Sequence, residues 1–227
     1  MQGTPSREPT LAEGLRAALP VVLGYLPIGM AYGILASQAH LTTAEAVAMS
    51  LIVFAGSAQF IAVGMLAAGT GPWPIIVTTF LVNLRHLLMS AALSVSFRRI
   101  PRPLQALLAF WITDESFVVT SATLAGRQAT VPFLVGLQVT AYLAWAASSL
   151  AGAVLGNLAS GVAHLGMDYA LPAMFIALLV LQVKGRGALL VAALAAAVSV
   201  LLAGLPGNAN VIVATLAAAT VGVFIRR

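Results

Sequence analysis

Eight long apolar runs follow one another along the 227-residue chain, at roughly 16–38, 45–69, 73–97, 103–125, 129–156, 169–183, 187–205 and 209–225. About 20 apolar residues in a helix span a bilayer core. In hydrocarbon every backbone N–H and C=O has to be satisfied within the segment, which leaves helices as the natural form for runs of this length. Composition agrees: 61% of residues are hydrophobic, 7% are charged and mean hydropathy is +1.03, too little polar surface to cover a water-soluble globule. The sequence therefore predicts an all-α, polytopic transmembrane helix bundle, with a polar tail over 1–15 and a single transmembrane domain over 16–227. A separate catalytic or ATP-binding domain does not fit. The first apolar run is too long for a signal-peptide core and is expected to stay as a helix.

Eleven Lys and Arg face six Asp and Glu, a formal +5. In a soluble protein that balance would suggest a nucleic-acid partner; here the basic residues sit in short connections between apolar runs, where Lys and Arg mark the cytoplasmic side. No nucleic-acid partner is expected. Cysteine is absent, which excludes disulfides and thiolate metal sites, and no cofactor is implied. Arg98, Arg99 and Arg102 form the densest cluster, followed by Arg127, Lys184, Arg186, Arg226 and Arg227. All eight share one side only if the run 103–125 fails to cross. That run carries Asp114 and Glu115 at its middle, where each ionised side chain costs about 2.5–3.5 kcal/mol on insertion scales. A broken or re-entrant segment is expected there, leaving about seven full spans, with the N-terminus outside and the C-terminus inside.

Two weaker patterns bear on packing. Gly29 with Gly33, and Gly152 with Gly156, place small residues one turn apart, the spacing that lets membrane helices approach closely. Residues 55–66 echo 170–181, as an inverted repeat of a secondary transporter would.

The polar residues inside apolar runs carry the chemistry. Thr79, Asn83, His86, Ser90 and Ser94 fall on one helical face, and a face of that kind is expected to avoid lipid. Arg85 lies about a hundred degrees round the helix from His86 and needs its own acid, from Asp114, Glu115 or Asp168; a structural ion pair of Arg85 with Asp168 is the expectation. Thr113, Ser116, Thr120 and Thr123 make a second stripe beside the two acids. Adjacent carboxylates in low dielectric resist simultaneous ionisation, so one of them can hold a proton and pass it on; the competing reading is a surface pairing with Arg98 to Arg102. Ala55-Gly56-Ser57-Ala58-Gln59 suits either a helix break that exposes backbone to a ligand or tight packing.

Four strings taken together resemble one family: Phe54-Ala-Gly-Ser-Ala-Gln-Phe60, Asn83-Leu-Arg-His-Leu-Leu-Met89, Asp114-Glu-Ser-Phe117 and Met167-Asp-Tyr-Ala-Leu-Pro-Ala-Met-Phe175. In this order, over roughly 14–225, the chain is similar to the AzlC family of branched-chain amino acid transporters. The resemblance implies the large subunit of a two-component exporter of leucine, isoleucine and valine in the bacterial inner membrane, working with a small membrane subunit of the AzlD type.

A zwitterionic substrate needs donors for its carboxylate, acceptors for its ammonium and an apolar pocket for its side chain. Burial chemistry assigns Ser57, Gln59, Asn83, Asp114 and Glu115 to the substrate, and His86, Asp114 and Glu115 to proton coupling. No phosphate-cradling Gly-rich loop followed by Lys is present, so ATP is not the direct driver. Two other classes compete: a non-transporting scaffold subunit, and an intramembrane serine hydrolase with Ser57 as nucleophile and His86 or His164 as base.

Overall fold

The computed structural model describes residues 8–124, 127–158, 185–204 and 209–225. It divides into two compact units, Met1–Met167 and Asp168–Arg227. In the first unit the helices are α1 (Leu11–Gln38), α2 (Thr43–Ile52), α3 (Gly56–Ala67), α4 (Pro72–Ser94), α5 (Arg102–Phe110), α6 (Asp114–Leu124) and α7 (Val131–Leu158). In the second they are α8 (Arg186–Leu201) and α9 (Ala209–Ile225).

Among the described residues three helices, α1, α4 and α7, are long and apolar enough to cross a membrane. At 1.5 Å per residue the 28, 23 and 28 residues of α1, α4 and α7 reach about 34–42 Å, more than the hydrocarbon core of about 30 Å. The other four helices of the first unit are half that length. The run 45–69 yields α2 and α3, separated by Val53, Phe54 and Ala55, with Phe54 in left-handed backbone at φ 44. The run 103–125 likewise yields α5 and α6, separated by Trp111, Ile112 and Thr113. The break expected around Asp114 is present, and the run 45–69 breaks as well.

The directions of these elements follow from their pairings. A Cβ on Gly14 would overlap the Phe133 carbonyl, one on Gly29 the Ser148 hydroxyl, one on Gly33 the Ser149 carbonyl, and one on Gly156 the Ser37 hydroxyl. Successive residues of α1 therefore meet successive residues of α7, so the two helices run parallel with their backbones in near contact. The Gly29/Gly33 and Gly152/Gly156 pairs do pack against the neighbouring helix, as small residues do in membranes. At the start of both helices the Thr130 hydroxyl donates to the Pro9 carbonyl. The end of α4 lies at that same end, since the Ala129 N–H donates to the Ser96 carbonyl at 2.9 Å. At the opposite end Asn157 of α7 bonds Thr43 of α2 at 2.9 Å.

α1 thus rises from the arginine-bearing end and α4 descends to it. Between them α2 enters and α3 returns: Leu66, near the end of α3, lines a cavity of about 590 Å³ with His40, Glu45 and Met49 at the mouth from which α2 began. The pair α5/α6 does the same from the other end, leaving from Arg102 and coming back to Leu124, which packs with Phe133 and Leu134. Two hairpins dip into the unit from opposite ends. This corrects the expected topology. Two full-length helices, not three, precede Arg98, so Glu8 and Arg98–Arg102 share an end. Reversal of 103–125 alone would have made α1 and α7 antiparallel.

In the second unit α8 and α9 are antiparallel, with Asn210 donating to the Ser199 carbonyl at 3.2 Å and Gly222 facing Val191. Lys184, Arg226 and Arg227, the 170–181 half of the internal echo, and Asp168 lie outside the described residues.

The absence of native cysteine makes this topology directly testable. Single cysteines at Glu8 and Arg99 are expected to react with a membrane-impermeant thiol reagent from one side, and a cysteine at His40 from the other. Labelling of positions 8 and 99 from opposite sides would refute the paired-hairpin arrangement.

Candidate functional site

Half-length helices of 9–12 residues reach about 14–18 Å, so both hairpins end near the middle of the unit. Their tips meet there through Arg85 of α4. Its guanidinium donates to the Ser57 hydroxyl in the first turn of α3 and pairs with Asp114, the first residue of α6, at 2.6 Å. The Arg85 and Asp114 side chains keep 34% and 36% exposure, so the pair borders open space rather than the packed core.

Two aromatic residues of the parallel pair close the other side. The Tyr25 hydroxyl of α1 lies 2.8 Å from the Glu115 carboxylate and 2.8 Å from the Thr113 hydroxyl. Trp145 of α7 meets the Tyr25 ring edge-on at 5.2 Å and stacks on Tyr32 at 6.1 Å. A Cβ on Gly56 would press on the Trp145 ring at 3.0 Å, so the tip of α2/α3 seats directly on this indole. Gln59 is fully buried and braces the seat: its carbonyl accepts from Trp145 Nε1 at 3.0 Å, its amide donates to Ser50 at 3.0 Å, and Ser50 donates to Ser149 at 2.8 Å.

The two helix starts at the centre differ in a chemically useful way. An α-helix leaves its first N–H groups without intrahelical partners and carries partial positive charge there. At α6 the first turn carries a reciprocal side-chain cap, Thr113 N–H to Ser116 Oγ at 2.8 Å and Ser116 N–H to Thr113 Oγ1 at 3.3 Å, and its first two residues are acids. At α3 the preceding residue is Ala55, which supplies no side-chain cap. One tip therefore presents uncovered donors and the other carboxylates, with Arg85 between them.

The expected site residues separate accordingly. Ser57, Asp114 and Glu115 come together through Arg85 and Tyr25. Gln59 is committed to Ser50 and Trp145. Asn83 lies one turn before His86 on α4; its Oδ1 is buried without a partner, and its carbonyl is 3.0 Å from His86 Nδ1. Much of the α4 stripe bonds its own helix, Thr79 to the Ile75 carbonyl and Ser94 to the Ala91 carbonyl. That satisfies hydroxyls without a neighbouring helix. The stripe on α6 does turn inward, with Thr113, Ser116 and Thr120 all buried. Among the described residues the acid that Arg85 meets is Asp114; the expected partner Asp168 lies outside them. Tyr25 and Trp145 carried no sequence signal beyond being aromatic residues in apolar runs.

The fold and its centre define an integral membrane protein whose polar core is built from two hairpins that turn back at mid-depth between three long helices. Residues 20–159 match the family model described as "AzlC protein". The chain belongs to the AzlC family. It is 30% identical over 190 residues to the "Inner membrane protein YgaZ" of Escherichia coli, covering 81% of this chain and 78% of that protein. It is 28% identical over 165 residues to the "Branched-chain amino acid transport protein AzlC" of Bacillus subtilis, covering 72% of this chain and 64% of that protein. No solved structure matches.

Proposed function

We propose that this protein is the large subunit of a secondary exporter of branched-chain amino acids, driven by protons and assisted by a small AzlD-like membrane subunit. The observation that carries the reading is the polarised centre: an uncapped α3 start and Arg85 on one side, Asp114 and Glu115 on the other. A zwitterion has the matching order of charge. Its carboxylate takes the α3 N–H groups, Ser57 and Arg85, its ammonium faces Asp114 or Glu115, and its side chain requires only apolar surface. Intramembrane charged residues of this kind mark substrate and proton paths, and half-helix starts at mid-depth recur in substrate sites of transporters.

Coupling follows from the same ion pair. With Asp114 ionised, Arg85 is held between it and Ser57. Protonation of Asp114 removes its charge, and the guanidinium becomes free to hold a substrate carboxylate. Asn83 flanks Arg85 on α4, Glu115 holds Tyr25, and His86 supplies a second exchangeable proton beside them. The B. subtilis relative named for branched-chain amino acid transport supports the substrate class.

The test is efflux of preloaded radiolabelled leucine, isoleucine and valine from cells expressing the chain with and without the small subunit. Efflux is expected with both subunits and should be lost on adding a protonophore. Asp114→Asn, which mimics the protonated acid, is expected to keep exchange of internal for external leucine while abolishing net proton-driven efflux. Full protonophore-sensitive efflux by Asp114→Asn would remove Asp114 from the coupling.

A further inference from the structure

Below the hairpin tips, toward the arginine-bearing end, the interior contains polar groups without a hydrogen-bond partner among the described residues. Gln138 of α7 is 0% exposed and both its amide atoms lack a partner; Thr120 of α6 is also 0% exposed, with a partnerless hydroxyl. An unmet buried polar group costs about 1–3 kcal/mol, and an apolar side chain at position 138 would avoid that cost.

The two residues share a depth. Along α6 the buried residues are Ser116, Thr120 and Leu124, with Ser116 at the Tyr25–Glu115 level and Leu124 packed against Phe133 and Leu134. Along α7 Trp145 lies at the level of Tyr25, and Phe133 and Leu134 lie at the level of Leu124. Thr120 and Gln138 each fall midway, Gln138 about 10 Å below Trp145 at 1.5 Å per residue. Beneath them Leu108, Leu124, Phe133, Leu134 and Leu137 form an apolar floor, none of them more than 1% exposed. Polar groups from two helices at one level, closed off below, are what an internal water needs: two to four partners and exclusion from bulk solvent.

We propose that Gln138 and Thr120 hold an internal water site that exchanges the proton of Glu115 on the arginine-bearing side. The inference about proton exchange rests on the transport reading above; the water site itself does not. In the transfer the Glu115 carboxyl O–H breaks, a water oxygen accepts that proton, and an adjacent water takes one of its protons in turn, with no other bond changed. Gln138 and Thr120 are positioning residues that fix those water oxygens. The apolar floor keeps the site from the arginine-bearing end in this conformation.

The experiment combines hydroxyl-radical footprinting by X-ray radiolysis of the full chain in detergent with assays of Thr120→Val, Thr120→Ser and Gln138→Met. Oxidation of Leu137, which is fully buried, at a rate comparable to solvent-exposed residues is expected, and its loss in Gln138→Met. Leucine affinity should stay within about twofold, while turnover falls about tenfold in Thr120→Val and Gln138→Met and recovers in Thr120→Ser. An unlabelled Leu137 together with a thermally stabilised Gln138→Met would mean a dry, orphaned amide and overturn the proposal. Labelling with unchanged turnover would overturn the proton role. A parent protein without leucine efflux would remove the transport reading and the proton role with it, and the footprint alone would then decide the water site.

Discussion

Arg85→Ala is expected to reduce branched-chain amino acid efflux about thirtyfold or more while leaving the protein folded and inserted. Arg85 joins three parts of the centre, the start of α3, the start of α6 and the open space between them. Truncating one partner of a buried hydrogen-bonded charge pair costs about 2–5 kcal/mol; with a third of each side chain exposed the low end of that range applies here, and about 1.4 kcal/mol is a factor of ten in rate or affinity. Arg85→Lys keeps the charge but not the fork that reaches Ser57 and Asp114 together, so it should recover only a minor part. The double variant Arg85→Ala with Asp114→Ala removes the stranded acid. It is expected to restore expression wherever the single variant lowers it, without restoring transport. Efflux within threefold of the parent in Arg85→Ala would show that the arginine is purely structural.

Gly33→Leu and Gly152→Leu are expected to produce the largest stability losses of any substitutions in the first unit. A Cβ on Gly33 would collide with the Ser149 carbonyl and the Ala153 N–H, and one on Gly152 with the Met30 backbone. These are backbone atoms and cannot swing aside. Overpacking typically costs about 1–3 kcal/mol, and here both helices have to separate, so a value at or above the top of that range is expected. At about 2–4 °C per kcal/mol for a chain of this size, the melting temperature in detergent should fall by roughly 6–12 °C. Gly24→Leu is the control: nothing lies within 4 Å of a Cβ there, and its melting temperature should match the parent. Equal melting temperatures for Gly33→Leu and Gly24→Leu would refute the close parallel pairing of α1 and α7.

What the sequence disclosed depends on the scale of the question. Apolar runs and their turn residues define helices locally, and α1, α4 and α7 follow directly from them. The paired acids at 114 and 115 were legible as a break because charge at mid-depth is costly in an unbroken helix. Ala55-Gly56-Ser57 admitted two readings, since small residues serve both breaks and close packing, and in this protein they serve both: α3 starts there and Gly56 seats on Trp145. Topology was not legible, because each run that turns back inverts everything after it, and run length does not distinguish 25 residues that cross from 25 that return. The hundred-degree offset between Arg85 and His86 does not say which face of α4 turns to the hairpin tips. The roles of Tyr25 and Trp145 depend on partners some 90 residues away in sequence, Thr113 and Glu115 for the one and Gln59 for the other.

The parallel pairing of α1 with α7 has a consequence for how the protein is made. The glycine face of α1 is complete once residue 38 has been synthesised, but its partner face ends at residue 158. At elongation rates of about 5–20 residues per second, α1 waits roughly 6–24 s in the membrane with Gly14, Gly29 and Gly33 unmatched. Both hairpins emerge during that interval, before the helix that closes over them exists. Assembly of the centre is therefore the last event of the first unit's biogenesis, and a chain stalled before α7 carries Arg85, Asp114 and Glu115 in a bilayer with Trp145 and its bracing network still unmade.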